Sequence, residues 1–317
     1  MNTAELQKII SFIRARLSQG DRVVEVVALN PDYGVGLHAG EQVEVAGKAH
    51  IHRPMRVWLD LADRLRLRLR TPQLVDGQPH LIALRFEPLD ESARWRDHSP
   101  ADPREKYGAK TRYQRISKLE DPDLLIDLDE ALERLNLPRE PRILDLGVNR
   151  GDSLAMILGL RPAWAKTLRF VGVDHSASAL DLARARWAEL GDRADFIEAD
   201  LGALERLELG RFDLVLSIGT LHSPGVDHQV VLRHVVKNLL APGAGVILGV
   251  PNCTHIDGEQ LFGARTKNFT QPELSLLIKS VAHYKRYLQQ HRRKVYVTGK
   301  YYVLVTGAAE LEGERGG

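Results

Sequence analysis

The sequence predicts an α/β fold. A seven-stranded, mostly parallel sheet ends in an antiparallel hairpin, and a small α+β domain precedes it. Two observations predict the sheet. From Arg142 onward, short apolar runs alternate with stretches of helical length, the pattern of a parallel sheet covered on both faces. The last two runs, Lys294–Thr298 and Tyr301–Thr306, flank Gly299-Lys300, a tight hairpin signal. A third observation separates the small domain: the first 90 residues mix helix and strand patterns without that alternation.

In chain order, Thr3–Ser18 reads as an amphipathic helix, with Leu6, Ile9, Ile10, Ile13 and Leu17 at helical spacing and Thr3 as N-cap. Arg22–Leu29 and Gln42–Ile51 read as strands separated by glycine-rich turns, and Met55–Leu65 as a helix. Leu65 to Arg70 alternates leucine with arginine, giving a strand with one apolar face and one cationic face. That cationic face is either a solvated face or a phosphate-contacting surface. Leu81–Phe86 is its expected partner strand. Residues 1–90 thus form an accessory α+β domain suited to substrate recognition. Residues 91–120 form a linker with a basic and aromatic segment: Lys106 to Arg115 holds four cations, two tyrosines and no acid.

Asp121-Pro122 starts a helix as N-cap and first residue, with Leu124, Leu125, Leu128, Leu132 and Leu135 on one face. The expected strands are Arg142–Leu146, Arg169–Val173, Ala194–Glu198, Phe212–Ile218, Gly245–Val250 and the two of the hairpin. The expected helices are Ser153–Leu160, Ser178–Leu190, Asp227–Leu240 and Gln271–His291, with Ser178/Asp181 and Thr270/Glu273 as capping boxes. Residues 121–307 form the main domain, and residues 308–317 a flexible acidic tail.

Bulk properties narrow the function classes. The 317 residues carry a formal net charge of +2, so overall charge names no partner. A single cysteine, Cys253, excludes an internal disulfide. No basic, then apolar leader opens the chain, and no apolar run approaches the roughly 20 residues of a membrane helix. The expectation is a cytoplasmic protein.

The chemistry centres on Ile143-Leu144-Asp145-Leu146-Gly147-Val148-Asn149-Arg150-Gly151-Asp152. This stretch reads as a buried strand ending in a carboxylate, a glycine-containing turn and a helix start. Carboxylates recur beyond the next strands, at Asp174 and Asp200. S-adenosylmethionine (SAM) has ribose hydroxyls, a sulfonium cation and an amino-acid end, and it has no phosphate. Asp145 is placed for the amino-acid end, Asp174 for the ribose hydroxyls and Asp200 for the adenine amino group, while Gly147 and Gly151 let the backbone pass close. A nicotinamide dinucleotide site wants G-x-G-x-x-G facing a pyrophosphate. Here Asn149 and Asp152 occupy the second and third glycine positions, and Asp152 adds a like charge.

These segments resemble class I SAM-dependent methyltransferases. DLGVNRGD is similar to the family's first motif, FVGVD to its second acid, IEADL to its adenine segment, FDLVLSIGTLHS to its fourth-strand motif and LLAPGAGVILGVPN to its fifth. The likeness spans about Asp121 to Gly307. It implies a Rossmann-like fold, SAM as cofactor, and cofactor-binding roles for Asp145, Gly147, Asn149, Gly151, Asp174, His175, Asp200, Leu201 and Ser217. Asn149 departs from the family's G-x-G-x-G, although Asn tolerates a left-handed backbone well. His222, at the fourth-strand exit, is the general-base candidate; it reads equally as a histidine that packs over the cofactor.

The absence of an Asn/Asp-Pro-Pro-Tyr motif argues against adenine-N6 chemistry. The absence of Pro-Cys at that exit argues against a nucleophilic Cys253. His255 and Asp257 beside Cys253 lack a second ligand cluster, so no metal is expected.

For the methyl acceptor, Arg265 to Lys300 holds nine Lys/Arg, one acid and interleaved tyrosines, a composition suited to single-stranded RNA. Tyr107, Lys110, Arg112, Asn252 and Lys267 are the substrate-contact candidates. The alternatives are a small-molecule or protein acceptor, and a SAM-binding protein without catalysis.

Overall fold

The computed structural model describes residues 3–93, 102–223, 225–264 and 273–310. The chain forms two compact units. One comprises residues 1–94 and 255–261; the other comprises residues 95–254 and 262–317.

The first unit begins with helix α1 (Leu6–Ser18), strand β1 (Val24–Leu29), strands β2 (Gln42–Val45) and β3 (Lys48–Ile51), and helix α2 (Met55–Leu65). It continues with β4 (Leu67–Leu69), β5 (Gln73–Val75) and β6 (Gln78–Pro88). β6 pairs antiparallel with β1 on one edge, and with β4 and β5 on the other. The core alternates as a half-buried sheet requires: Val24, Val26 and Ala28 of β1 and Ile82, Leu84 and Phe86 of β6 meet Ile9 and Ile13 of α1 and Trp58 of α2.

Several sequence expectations change here. Glu5, not Thr3, is the N-cap of α1. Gln42–Ile51 is two strands, because Ala46 (φ 52°) and Gly47 (φ 71°) turn the chain back on itself. Arg66 leaves the strand: with φ 58° it ends α2 in the left-handed region. The arginine face is spent on acids. Arg68 Nε donates to Glu259 Oε1 at 2.9 Å, Arg70 lies 2.6 Å from Glu87, and Arg66 pairs with Glu91.

The second unit runs through α3 (Pro122–Glu133), β7 (Arg142–Leu146), α4 (Asp152–Leu160), β8 (Arg169–Asp174), α5 (Ala177–Arg186), β9 (Ala194–Glu198), β10 (Phe212–Ile218) and α6 (His228–His234). It continues with β11 (Leu240–Pro251), a small hairpin of β12 (Cys253–Ile256) and β13 (Glu259–Phe262), α7 (Ser275–Gln290), β14 (Arg293–Thr298) and β15 (Tyr302–Ala309). Residues 255–261 of the small hairpin group with the first unit.

The seven-stranded order is β14-β15-β11-β10-β7-β8-β9. Neighbours from β11 to β9 are parallel, and β15 is antiparallel to both β11 and β14. This is the Rossmann-like sheet that the sequence predicts. Two apolar layers cover it. One contains Leu124, Leu128, Leu154, Ile157 and Leu180, and the other Val231, Leu232, Leu277, Tyr284 and Leu288.

Asp121 caps α3 as expected, accepting from Leu124 N at 3.0 Å. Ser176, not Ser178, caps α5, accepting from Ala179 N at 3.2 Å. Helix α6 turns into a π-helical stretch over Val235–Leu239. Thr270 of the second expected capping box lies outside the described residues. Ala308 and Ala309 belong to β15 rather than to a tail, and residues 311–317 are not described.

Candidate functional site

From β7 the chain winds outward through β8 and β9, then returns to place β10 on the other side of β7. A crevice opens at the carboxyl ends of the strands at such a reversal, and ligands bind there. Two segments meet at it: the turn after β7 and the loop after β10. The turn needs left-handed backbone three times, at Gly147 (φ 86°), Asn149 (φ 48°) and Gly151 (φ 81°). Neighbouring side chains also demand both glycines. A Cβ on Gly147 would lie 2.0 Å from Thr220 Oγ1, and one on Gly151 would lie 2.4 Å from Trp187 Nε1.

Asp145, one residue before the end of β7, is at 0% exposure. Neither of its carboxylate oxygens makes a hydrogen bond of ordinary geometry among the described residues, although the Ser153 hydroxyl lies close enough to act on it. Burial pushes its pKa up to about 7, against the opposing influence of Ser153 and Lys118. A buried carboxylate that lacks such a bond is costly unless a cation or donor meets it, and the amino-acid end of SAM brings an ammonium.

Asp174 ends β8, its Oδ2 accepting from Asn149 N at 2.9 Å and its Oδ1 from Ser176 N at 3.0 Å. A carboxylate has about four acceptor positions, so both oxygens keep capacity for ribose hydroxyls. Asp200 is exposed after β9. It accepts from Gly202 N at 2.7 Å, with Leu201 buried beside it. His175 is half-buried next to Asp174. A phosphate-free, cationic cofactor fits this set of acids.

Asp152 plays a different part from the one its sequence position suggests. Its carboxylate lies 2.6 Å from Arg186 Nη1 and 3.0 Å from Arg150 Nε. Two guanidiniums therefore absorb the charge expected to repel a pyrophosphate. The electrostatic case against phosphate rests on Asp145.

The expected linker is bonded to the turn. Residues 102–120 form three single-turn helices (Pro103–Tyr107, Arg112–Arg115, Lys118–Glu120) laid along the turn. Asn149 Nδ2 donates to Tyr107 O at 2.9 Å, and Gln114 Nε2 donates to Asn149 Oδ1 at 2.8 Å. Arg150 Nη2 donates to Ile116 O at 2.8 Å. Lys118 Nζ donates to Ile218 O at 3.3 Å. Burial opposes the Lys118 charge, but Tyr113, Tyr302 and Asp145 around it outweigh that and raise its pKa. Burial also pushes the Tyr302 hydroxyl up to about 12.

His222 follows β10 and is exposed as a residue, although its ring packs against two others. Its ring is stacked on His228 at 5.7 Å and set edge-on to Tyr284 at 5.8 Å. The crowding of the ring, and then His228, push its pKa down to about 4, so it is a neutral imidazole at neutral pH. Ser217 is fully buried and its hydroxyl donates to Leu146 O at 2.9 Å. Both functional ends of the Asn252 side chain are used. Nδ2 donates to Lys300 O at 3.0 Å, and Oδ1 accepts from Ala264 N at 3.0 Å.

Lys110 and Arg112 are exposed on residues 102–120, and Lys267 lies outside the described residues. Of the tyrosines interleaved with the C-terminal cations, Tyr284 is fully buried and Tyr287 half-buried against the sheet. Lys279, Lys285 and Arg286 point outward from α7. Among the described residues no group of three or more His, Cys, Asp or Glu is placed to hold a metal ion.

Sequence reasoning missed Tyr113, Gln114, Lys118, Thr220 and Tyr302. For Gln114 one signal existed: a turn that replaces glycine with Asn invites a partner for the amide. Lys118 gave no signal, because its burial comes from β10 and β15, which are far away in sequence.

Residues 144–246 match the protein family described as a methyltransferase domain. A stretch of 120 residues is 38% identical to the carboxy-S-adenosyl-L-methionine synthase of Wolinella succinogenes, covering 38% of this chain and 48% of that protein. The chain thus spans about half the length of the curated relative it matches. Two solved structures are similar to the chain at 18% identity. One is an O-methyltransferase family protein from Burkholderia thailandensis (TM-score 0.46, 66% of this chain, 60% of that one). The other is a SAM-dependent methyltransferase from Aquifex aeolicus (TM-score 0.44, 63% of this chain, 100% of that one). Sheet order and acid placement agree with the family match: residues 144–246 are a methyltransferase domain.

Proposed function

We propose that the protein is a SAM-dependent methyltransferase. The observation that carries this reading is Asp145, a fully buried carboxylate with no hydrogen bond of ordinary geometry among the described residues, at the mouth of the switch-point crevice. When bound, SAM supplies an electrophilic methyl carbon on its sulfonium. Asp145 holds the ammonium of the amino-acid end, Asp174 fixes the ribose and Asp200 faces the adenine edge. Residues 102–120 keep water from the turn. His222, neutral at neutral pH, accepts the proton of an acceptor that must lose one. Such transfers are in-line displacements and gain chiefly from orientation. Calorimetry with S-adenosylhomocysteine (SAH) tests the reading. The wild type is expected to bind and Asp174→Ala to lose measurable binding; no binding by the wild type rejects it.

For the acceptor, one observation favours RNA. Lys110, Arg112 and Arg115 on residues 102–120 and Lys279, Lys285 and Arg286 on α7 are exposed cations, suited to phosphates. The buried Tyr284 does not add a stacking platform to them. Incubation with methyl-labelled SAM and a lysate fractionated into RNA, proteins and small molecules decides the class. Label in RNA that falls as salt rises supports this reading. Label in either other fraction assigns a protein or metabolite acceptor instead, and no label assigns a SAM-binding protein without catalysis. For any acceptor that takes label, the accessory unit is the proposed substrate-recognition element.

A further inference from the structure

We propose that Asn149 is a positioning residue that latches residues 102–120 over the cofactor turn, so that this strap governs how fast the cofactor leaves. The inference rests on the SAM-binding reading above.

The family's turn has glycine where this chain has Asn149, and a glycine there would serve the backbone equally well, since φ is 48°. The side chain must therefore be explained by what it touches. Its two functional ends are matched to two different groups of the strap: Nδ2 donates to Tyr107 O at 2.9 Å, and Oδ1 accepts from Gln114 Nε2 at 2.8 Å. Gln114 Nε2 closes the triangle by donating to Tyr107 O at 2.7 Å. Meanwhile the Asn149 backbone N–H holds Asp174 Oδ2 at 2.9 Å. One residue thus joins the ribose-facing acid to the strap.

The strap has further moorings beside the same acid. Ala109 N donates to Ser178 Oγ at 2.8 Å, and Ser176 Oγ donates to Glu105 Oε2 at 3.2 Å. Residues 102–120 have no sheet partner, and their only secondary structure is three single turns. Side-chain bonds to the turn and to the start of α5 therefore supply much of what holds them.

The test uses the full chain as wild type, Asn149→Gly, Gln114→Ala and the double variant. Asn149→Gly keeps the left-handed backbone and deletes only the latch. Two quantities are read: the dissociation rate of SAH, and the rate of tryptic cleavage within residues 104–115, where Arg104, Lys106, Lys110, Arg112 and Arg115 offer sites. Each single variant is expected to release SAH about tenfold faster, since each loses two neutral hydrogen bonds of the triangle. Each is also expected to be cleaved in the strap several-fold faster.

The double variant is expected to exceed either single but fall short of their product, since the two share the Gln114–Asn149 bond. SAH release and cleavage within twofold of wild type in Asn149→Gly would overturn the proposal, as would multiplicative effects in the double variant. If the wild type binds no SAH, the methyltransferase reading falls. The tryptic comparison then still decides whether Asn149 holds the strap.

Discussion

Lys118 places its ammonium on the carbonyl of Ile218 at 3.3 Å, tying the end of the strap to the last residue of β10. Asp145 is among the groups that act on that ammonium. The strap therefore brings a cation within electrostatic reach of the buried acid of β7.

Lys118→Met tests this link, because it keeps the apolar stem and deletes the charge. A charge-assisted hydrogen bond is worth about 1.5–3 kcal/mol. SAH affinity is expected to fall by about one to two orders of magnitude accordingly. Calorimetry at pH 7.5 checks it, and an unchanged affinity would reduce Lys118 to a packing residue.

Asp145 gives a pH prediction. Its pKa is raised from 3.8 to about 7 by burial, so the folded state holds the proton more tightly than the unfolded chain does. Folding gains from this below the ordinary value and loses the gain as pH climbs through about 7. Asp145→Asn removes the dependence. Without ligand, the variant is expected to exceed the wild type by a few kcal/mol, on the order of 2–4, at pH 8. The two should converge near pH 4. Thermal melts across that range decide it, and parallel curves would contradict it. SAH binding at pH 8 should be lost in the same variant.

Asp152 predicts a stability effect of the opposite sign. Its side chain is 11% exposed and touches both Arg150 and Arg186. Asp152→Ala removes the carboxylate that Arg150 and Arg186 share, leaving Arg150 its bond to Ile116 O, and removes an acid from the first turn of α4, where it favours the helix. A loss of about 2–3 kcal/mol is expected, discounted from the fully buried case. Denaturant unfolding measures it, and Arg186→Met should recover part of the loss.

His222 predicts a flat region. With its pKa down at about 4, the base form is fully present from pH 5.5 upward. Histidine NMR signals assigned through His222→Gln should show no titration of this ring between pH 5.5 and 8. A midpoint near 6.5 would mean that contact with His228 and Tyr284 does not desolvate the ring. Once the acceptor is identified, His222→Gln is expected to lower the rate about 10²-fold or more if the ring takes the proton, and far less if it only packs.

The sequence by itself determined the seven strands, their alternation with helices and the terminal hairpin. Each of these is written locally, in apolar runs of five to seven residues bounded by Gly, Pro and capping residues. It also determined Asp145, Asp174 and Asp200, since a carboxylate at or just beyond a strand end is visible in the one-dimensional order.

Only the tertiary structure decided which charges are free to act. Asp152 and the arginines near β4 look available in the sequence, and partners up to about 190 residues away take them up. Tyr284 reads as a stacking platform until α7 turns it against the sheet. The segment 102–120 reads as a linker because its residues lack period and apolar content. Its structure comes from side-chain bonds to Asn149, Arg150 and Ser178. Periodicity records what a segment does with its own backbone. It is silent on bonds made across the fold, and those bonds turn a glycine-poor turn and a basic linker into a single site.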